Sequence, residues 1–195
     1  MKKYLFLLFL LVLCVFLCSC KGDEIDPLGY QSYPFYVEGV LVTEETDYDF
    51  ALKMNSADSS EIMFTKPDSL RNYVFRVTPE GTTLSYGDMT INFNGGEKTN
   101  LIRLIPSLFS LKKEGKVSQE EKEFNSIAVL VCTYSTDVGE VKMYLNAEKG
   151  TPLRFEGEDF TLNVTSFTPE GAAVPDETPF MTPTPIPQNT PSAED

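Results

Sequence analysis

Apolar and polar side chains alternate along most of the chain between residues 33 and 167. In residues 47–55 every second side chain, from Tyr48 to Met54, is apolar, and those between them are mostly charged. This period of two is the pattern of a β-strand with one dry and one wet face. A helix would need a period near 3.6, so helix is excluded over most of this region. We therefore expect one mainly β domain over residues 33–167.

The alternating stretches predict about ten strands separated by Gly, Pro, Asn and Asp turns. The predicted strands are 33–45, 47–55, 61–65, 73–78, 82–86, 89–94, 126–135, 138–146, 152–156 and 160–167. A single helical turn is expected at 66–71, because Pro67 suits the first position of a helix. Helices do not alternate with these strands, so the pattern favours a curved antiparallel sheet or open barrel.

One segment in the middle of the chain has helical spacing instead. Its apolar residues recur every three or four positions: Leu101, Leu104, Ile105, Leu108 and Leu111. Gly115 suits the end of this helix, and Pro106 inside it must kink the helix or divide it. A second short helix is expected at 118–124, where Ser118 and Glu121 form a capping-box pattern. The prediction is an α+β fold, mainly β, in which residues 101–124 cover the concave face of the sheet.

The composition excludes several classes of function. The chain contains no His and no Trp, so His-dependent acid–base or nucleophilic catalysis and imidazole metal ligation are excluded. Acidic pairs occur at 44–45, 47 and 49, 120–121, and 156 with 158–159. They fit a solvated surface better than a hydrolase site, and no EF-hand loop is present for calcium. We therefore expect no catalytic residue, no metal and no cofactor.

The first 20 residues predict an export signal that ends in a lipid-attachment site. Lys2 and Lys3 precede an apolar run at 4–17, which is shorter than the roughly 20 residues a transmembrane helix needs. The sequence LCSC at 17–20 resembles the bacterial lipobox, which implies a signal peptide over 1–19, cleavage before Cys20 and acylation of its thiol. An unmodified residue of the signal, or a disulfide partner, is the alternative for Cys20. The expected location is the extracytoplasmic face of a bacterial cell membrane.

The segments that flank the domain are polar. Residues 20–32 are predicted to be a tether, and residues 168–195 a disordered tail that holds 7 of the 13 prolines and no Lys or Arg. Without residues 1–19, which include two lysines, 14 basic residues face 29 acidic residues, a net charge of −15. Such a chain repels phosphate groups, so nucleic acid is not expected as a partner. Cys132, in an apolar stretch, is expected to be a buried thiol.

The order of these elements and several local sequences resemble the LolA/LolB-like lipoprotein fold. The resemblance covers residues 33–167 and rests on 35–42, EIMFTKPDSL at 61–70, YGDM at 86–89 and NAEKGTPL at 146–153. The lipobox makes the chain similar in kind to lipid-anchored clostridial members, which include germination lipoproteins. The resemblance implies an incompletely closed sheet around an apolar cavity that a helical segment covers, and binding of an acyl chain, a lipidated protein or another protein.

The alternation supplies the side chains that such a cavity needs. The predicted apolar lining is Tyr48, Phe50, Leu52, Phe64, Phe75, Leu84, Met89, Ile91 and Phe93, with Leu104 and Leu108 from the helical segment. The same residues would form the packed core of any small barrel, because inward-facing positions look alike in sequence. Two hypotheses follow: a non-enzymatic protein that holds a lipid or an acylated protein, or a structural or regulatory scaffold with a filled core that recruits an envelope or spore protein.

The lipid anchor gives the first testable prediction. Replacing Cys20 by Ala removes the thiol that carries the acyl chains, so the variant should lose acyl labelling and leave the membrane fraction. Cell fractionation and metabolic labelling with a fatty-acid analogue measure both effects. A variant that stays in the membrane would point instead to an uncleaved apolar helix.

Overall fold

The computed structural model describes residues 25–92 and 98–169. Within them, eleven strands form one antiparallel sheet: β1 Phe35–Thr43, β2 Asp47–Ser56, β3 Ser59–Phe64, β4 Val74–Thr78, β5 Gly81–Tyr86, β6 Met89–Asn92, β7 Lys116–Phe124, β8 Ile127–Thr136, β9 Gly139–Asn146, β10 Pro152–Glu156 and β11 Phe160–Pro169. Their order in the sheet is β6-β5-β4-β3-β2-β1-β11-β10-β9-β8-β7. Strands β6 and β7 lie at the two edges, so the sheet is not closed. The predicted mainly β, antiparallel class is confirmed.

The register of the ladder joins the apolar positions of neighbouring strands into continuous rows. Val37 lies opposite Leu52, which lies opposite Ile62. Phe75 and Leu84 continue the same row on β4 and β5. Residues directly opposite each other in an antiparallel pair project from the same face. The alternation seen in single strands therefore becomes one apolar face across the sheet.

Side chains from both halves of the sheet meet in a single core. Ile62 and Phe75 belong to the same buried cluster as Cys132 and Met143, which lie on β8 and β9. Val77 on β4 and Tyr134 on β8 line one and the same groove. Strands spaced by about 4.8 Å would hold β4 and β8 about 34 Å apart in a flat sheet. The sheet therefore cannot be flat.

One helix, α1 Lys98–Leu108, lies within the described residues. Ile102, Ile105 and Leu108 recur at helical spacing and belong to the buried core. Pro106 does not divide the helix but lies in its last turn, where it withholds a backbone N–H. The backbone N–H of Phe109 then donates to the Pro106 carbonyl at 3.1 Å. The helix accordingly ends before the Gly115 that the sequence favoured, and 113–115 form a separate 3-10 turn.

The helix predicted at 118–124 is wrong, and so is the extension of the helical cover to residue 124. Residues 116–124 form β7, which pairs with β8 along its whole length. Asn125 and Ser126, with φ of 52° and 62°, form the two-residue connection, and positive φ at both positions is what a type I′ hairpin turn needs. The capping pattern is a local preference worth about 1 kcal/mol, whereas the ladder satisfies a strand's full set of hydrogen bonds.

The segment predicted to be a polar tether packs against the domain where the structure describes it. Leu28 and Tyr30 are buried in the core, and the Tyr30 ring meets the edges of Phe35 and Phe167 at centroid distances of 6.2 and 6.0 Å. Gln31 Nε2 donates to the carbonyls of residues 109 and 111, both at 3.1 Å. The ordered body therefore begins before residue 33.

Several predictions lie outside the described residues. They are the signal peptide, Cys20 with the start of the tether, Phe93, and the tail beyond residue 169; residues 168 and 169 end β11. Within the described residues, no helix is both long and apolar enough to cross a bilayer.

Gly39 gives a test of the packing. A Cβ at this position would lie 2.6 Å from the Asn163 carbonyl oxygen and 2.9 Å from Cζ of the Phe50 ring. Gly39→Val should therefore lower the free energy of unfolding by about 2 kcal/mol or more, as overpacking does. Urea denaturation measures the effect, with the exposed Val42→Ala on the same strand as control. Equal midpoints for the two variants would contradict this account.

Cys132 gives a test of burial. Its side chain is buried and forms no disulfide, as the sequence predicted, and desolvation raises the pKa of its thiol. Because the thiolate is the reactive form, iodoacetamide should label it far more slowly in the native protein than in concentrated guanidinium. A Val138→Cys variant places a thiol at an exposed turn and should be labelled quickly without denaturant. Fast native labelling of Cys132 itself would refute its burial.

Candidate ligand-binding cleft

A cleft of about 760 Å³ opens beside the amino-terminal half of α1, at one end of the sheet. We call it the apolar cleft. Its apolar walls come from β2, β4, β5, α1, the β3–β4 connection and the start of β11: Tyr48, Leu70, Tyr73, Phe75, Leu84, Leu101, Ile102, Leu104 and Phe160. Phe75 and Ile102 are buried, and the others are partly buried and pack against the core. The cleft is therefore bounded by apolar surface that the core leaves incompletely covered.

Aromatic rings form the sheet side of the apolar cleft. The Tyr48 ring meets the fully buried Phe64 edge-on at 5.9 Å, and Phe64 meets Phe75 edge-on at 6.0 Å. Tyr73, on the connection into β4, lies 5.1 Å from Tyr86. Alternation along β2 and β4 puts these rings on one face, and Phe64 supports them from behind. Edge-to-face contacts of this kind add to area burial and hold the rings in place.

The helix supplies the opposite wall. Successive residues of α1 are rotated by about 100°, so Ile105 and Leu108 point into the core while Leu101 and Leu104 are partly buried beside the apolar cleft. Arg103 is exposed between them and donates from Nε to Thr82 Oγ1 at 3.4 Å. The apolar residues of α1 thus contribute both to the core and to the wall of the cleft.

The mouth of the apolar cleft is acidic. Thr43 at the end of β1 lies opposite Phe160 at the start of β11, so the β1–β2 loop and the β10–β11 loop lie side by side. Four exposed carboxylates from these loops line the mouth, and we call them the acidic rim: Glu44, Glu45, Glu158 and Asp159. The Phe160 ring lies against Gly157, where any side chain would collide with it. None of the described residues that line the cleft is Lys or Arg.

Four of the predicted lining residues come together in the apolar cleft: Tyr48, Phe75, Leu84 and Leu104. Four others are packed in the core instead: Phe50, Leu52, Phe64 and Leu108. They belong to the buried core cluster and are at most 3% exposed, so they do not line the cleft.

Two predicted lining residues lie neither in the apolar cleft nor in the core. Met89 and Ile91 lie on β6 with exposed fractions of 66% and 57%. Ile91 is opposite Leu84 and so continues the apolar row. However, β6 is an edge strand with no neighbour beyond it among the described residues, and its side chains remain in solvent. They are therefore not part of the apolar cleft, and their role as ligand lining stays a prediction.

Other wall residues were missed in the sequence. Leu70 and Tyr73 lie in the short connection between β3 and β4, where no alternation marks a face. Leu101 was part of the helical stripe, and Phe160 begins a predicted strand, but neither position alone indicates which end of the sheet is open. These residues become neighbours only through pairing between distant strands.

A second groove, of about 660 Å³, lies beside the carboxyl-terminal half of α1. Its walls are mixed, with Asp58, Arg103, Lys112 and Glu114 among them, so it does not suit an apolar chain. The described residues include no group of three or more His, Cys, Asp or Glu placed to hold a metal.

The described ends of the chain lie at the end of the sheet opposite to the mouth. Phe35 at the start of β1 pairs with Pro169 at the end of β11, and Ile25 lies beside Gly150 in the β9–β10 connection. Thr43, at the mouth, is eight residues along β1 from Phe35, which is about 26 Å at 3.3 Å per residue. The apolar cleft therefore opens away from both described termini.

No family model and no curated protein matches this sequence. Solved structures similar to this chain include a LolA superfamily protein from Nitrosomonas europaea, with a TM-score of 0.43, 10% identity and coverage of 78% of this chain and 93% of that one. MucB has a TM-score of 0.48, 13% identity and coverage of 77% and 58%. The Mycobacterium tuberculosis lipoprotein LppX has a TM-score of 0.41, 11% identity and coverage of 73% and 91%.

This chain thus spans less than two thirds of the MucB chain that it matches. A LolA superfamily structure is among those that the chain resembles, as the sequence resemblance predicted.

Proposed function

We propose that this chain is a membrane-anchored, non-enzymatic lipoprotein of the cell envelope that binds the apolar part of a lipid or of an acylated protein in the apolar cleft. The observation that carries the proposal is a cleft of about 760 Å³ with partly buried apolar walls. Its volume falls within the range of small-molecule sites. Each methylene that such a cleft takes from water contributes about 0.8 kcal/mol.

Helix α1 acts as the movable cover of the apolar cleft. Its carboxyl-terminal end is held by Gln31, which donates to the carbonyls of residues 109 and 111, and by the Phe109 ring, 5.0 Å from Phe155 in an edge contact. Leu101 and Leu104 lie nearer the other end and are less buried. Widening of the cleft therefore takes place at the amino-terminal half of α1, where fewer core contacts have to be broken.

The anchor sets the direction from which the ligand arrives. Four residues lie between Cys20 and Ile25, and the five residue-to-residue steps span about 17 Å when fully extended. Because Ile25 lies at the end of the sheet away from the mouth, the apolar cleft faces away from the membrane that holds the anchor. The ligand is therefore delivered from outside that bilayer, as an acyl chain carried by another protein would be.

The absence of catalysis is part of the proposal. The sequence has no His, the described residues form no cluster of metal-binding type, and Cys132 is buried with a raised thiol pKa. The walls of the apolar cleft are rings and aliphatic side chains, and the four carboxylates at its mouth are solvent-exposed rather than buried as acid–base groups.

One observation favours a second candidate function, the recruitment of a protein partner by a sheet edge. Met89 and Ile91 expose apolar side chains on edge strand β6, and an unprotected edge is a template for strand addition. The other edge, β7, is exposed and mostly charged, which discourages such pairing. A scaffold would therefore use β6.

Filling the apolar cleft tests the binding function. Leu84→Trp adds bulk to the wall, so the affinity of the chain without its signal and anchor residue, residues 21–195, for an uncharged fluorescent naphthylamine dye should fall about tenfold, which is a loss of about 1.4 kcal/mol. Fluorescence titration measures the change. Met89→Trp, on the exposed edge strand, should leave the affinity unchanged, and thermal unfolding verifies that both variants fold.

A different result would support the scaffold function. A wild-type chain that binds no dye, yet retains a protein partner that Met89→Lys releases, would replace the binding function with the scaffold function.

A further inference from the structure

We propose that the acidic rim makes the apolar cleft selective for cationic amphiphiles, molecules whose apolar chain ends in an ammonium group. The inference rests on the proposed function of the cleft and adds the chemical class of the ligand. It assigns a role to two of the acidic pairs that the sequence indicated to be solvated surface.

The rim is formed by pairing between distant strands. Glu44 and Glu45 follow β1, Glu158 and Asp159 precede β11, and the Thr43–Phe160 pair of the ladder brings the two loops together. All four residues line the mouth of a cleft whose walls are apolar. An amphiphile with its chain between those walls would place its head group at the mouth.

No basic side chain lines the apolar cleft among the described residues. The two basic residues on the neighbouring β3–β4 connection form ion pairs with other carboxylates. Lys66 Nζ lies 2.6 Å from Asp49, and an Arg71 guanidinium nitrogen lies 2.9 Å from Asp68. Among the described residues, none of the four rim carboxylates takes part in an ion pair. Their negative charge is therefore available to a ligand.

The sign of this charge decides between head groups. At an ionic strength of about 0.1 M, charges interact over about 10 Å, so four carboxylates at one mouth act together on a head group held there. They attract an ammonium and repel a carboxylate or phosphate. Because the rim is solvent-exposed, we expect a preference of about fivefold, the scale of a few exposed ion pairs in water, and a smaller one at high salt.

The test compares two photoactivatable probes on the full chain in bacterial membrane vesicles. The probes share one alkyl chain that carries the photoreactive group, and they end in trimethylammonium or in carboxylate. The quantity measured is the ratio of ammonium to carboxylate label on peptides that line the apolar cleft. In the rim variant this ratio should fall about fivefold below that of the wild type. The rim variant is Glu44→Gln, Glu45→Gln, Glu158→Gln and Asp159→Asn.

A matched variant separates the rim from net charge and from partition of the probes into the membrane. It removes four exposed carboxylates that do not line the cleft, through Glu80→Gln, Glu121→Gln, Glu123→Gln and Glu148→Gln, and it should keep the wild-type ratio. Glu158→Lys alone provides a second rim variant, which should lower the ratio with a single change.

The outcomes separate this inference from the proposed function. Labelling of the cleft by both probes with the same ratio in wild type and rim variants would overturn the head-group selectivity and leave the binding function intact. An equal fall in the matched variant would assign the effect to net charge and also overturn it. No labelling of cleft peptides by either probe would overturn the binding function as well.

Discussion

The structure depends on burying one apolar face of a sheet that does not close on itself. A closed barrel covers its inner face by its own strands, but here β6 and β7 remain unjoined edges. The apolar side chains of the sheet share one buried cluster with Ile102, Ile105 and Leu108 of α1 and with Leu28 and Tyr30 of the segment before β1. Gln31 of that segment donates hydrogen bonds to the carbonyls of residues 109 and 111, which follow α1. Burial of apolar surface is the main favourable contribution to folding, so both segments are part of the core.

The same incomplete closure explains where the apolar cleft lies. In the middle of the sheet Leu52 and Ile62 have strands on both sides and are fully buried. Towards the edge strand β6 fewer neighbouring residues bury these side chains, so Leu84 is partly buried and Ile91 is exposed. Interiors pack at nearly constant density where they can. The part of the apolar row on β5 and β6 therefore remains partly exposed instead of extending the core.

Prediction from sequence worked where the pattern is repeated and failed where a local preference competed with a distant partner. Alternation predicted most of β2 and placed Phe50 and Leu52 on the same apolar face. This pattern is reliable because a shift of the strand by one residue would turn every apolar side chain to the solvent face. The prediction failed at residues 118–124, where a capping pattern indicated a helix but the chain pairs with β8 as a strand. For the candidate site it found Tyr48, Phe75, Leu84 and Leu104 but missed Leu70, Tyr73, Leu101 and Phe160.

The sequence by itself determined the fold class, the apolar face of most strands, the helical stripe over Leu101–Leu108 and the absence of His chemistry. These follow from local periodicity and composition, which each segment carries without its neighbours. Only the tertiary structure decided which apolar residues are packed and which line the apolar cleft, and that Glu44 and Glu158 lie at one mouth. Those outcomes depend on the pairing of Thr43 with Phe160, more than a hundred residues later, and on the edge position of β6. Long-range pairing and edges arise from the assembled sheet, so no local pattern encodes them.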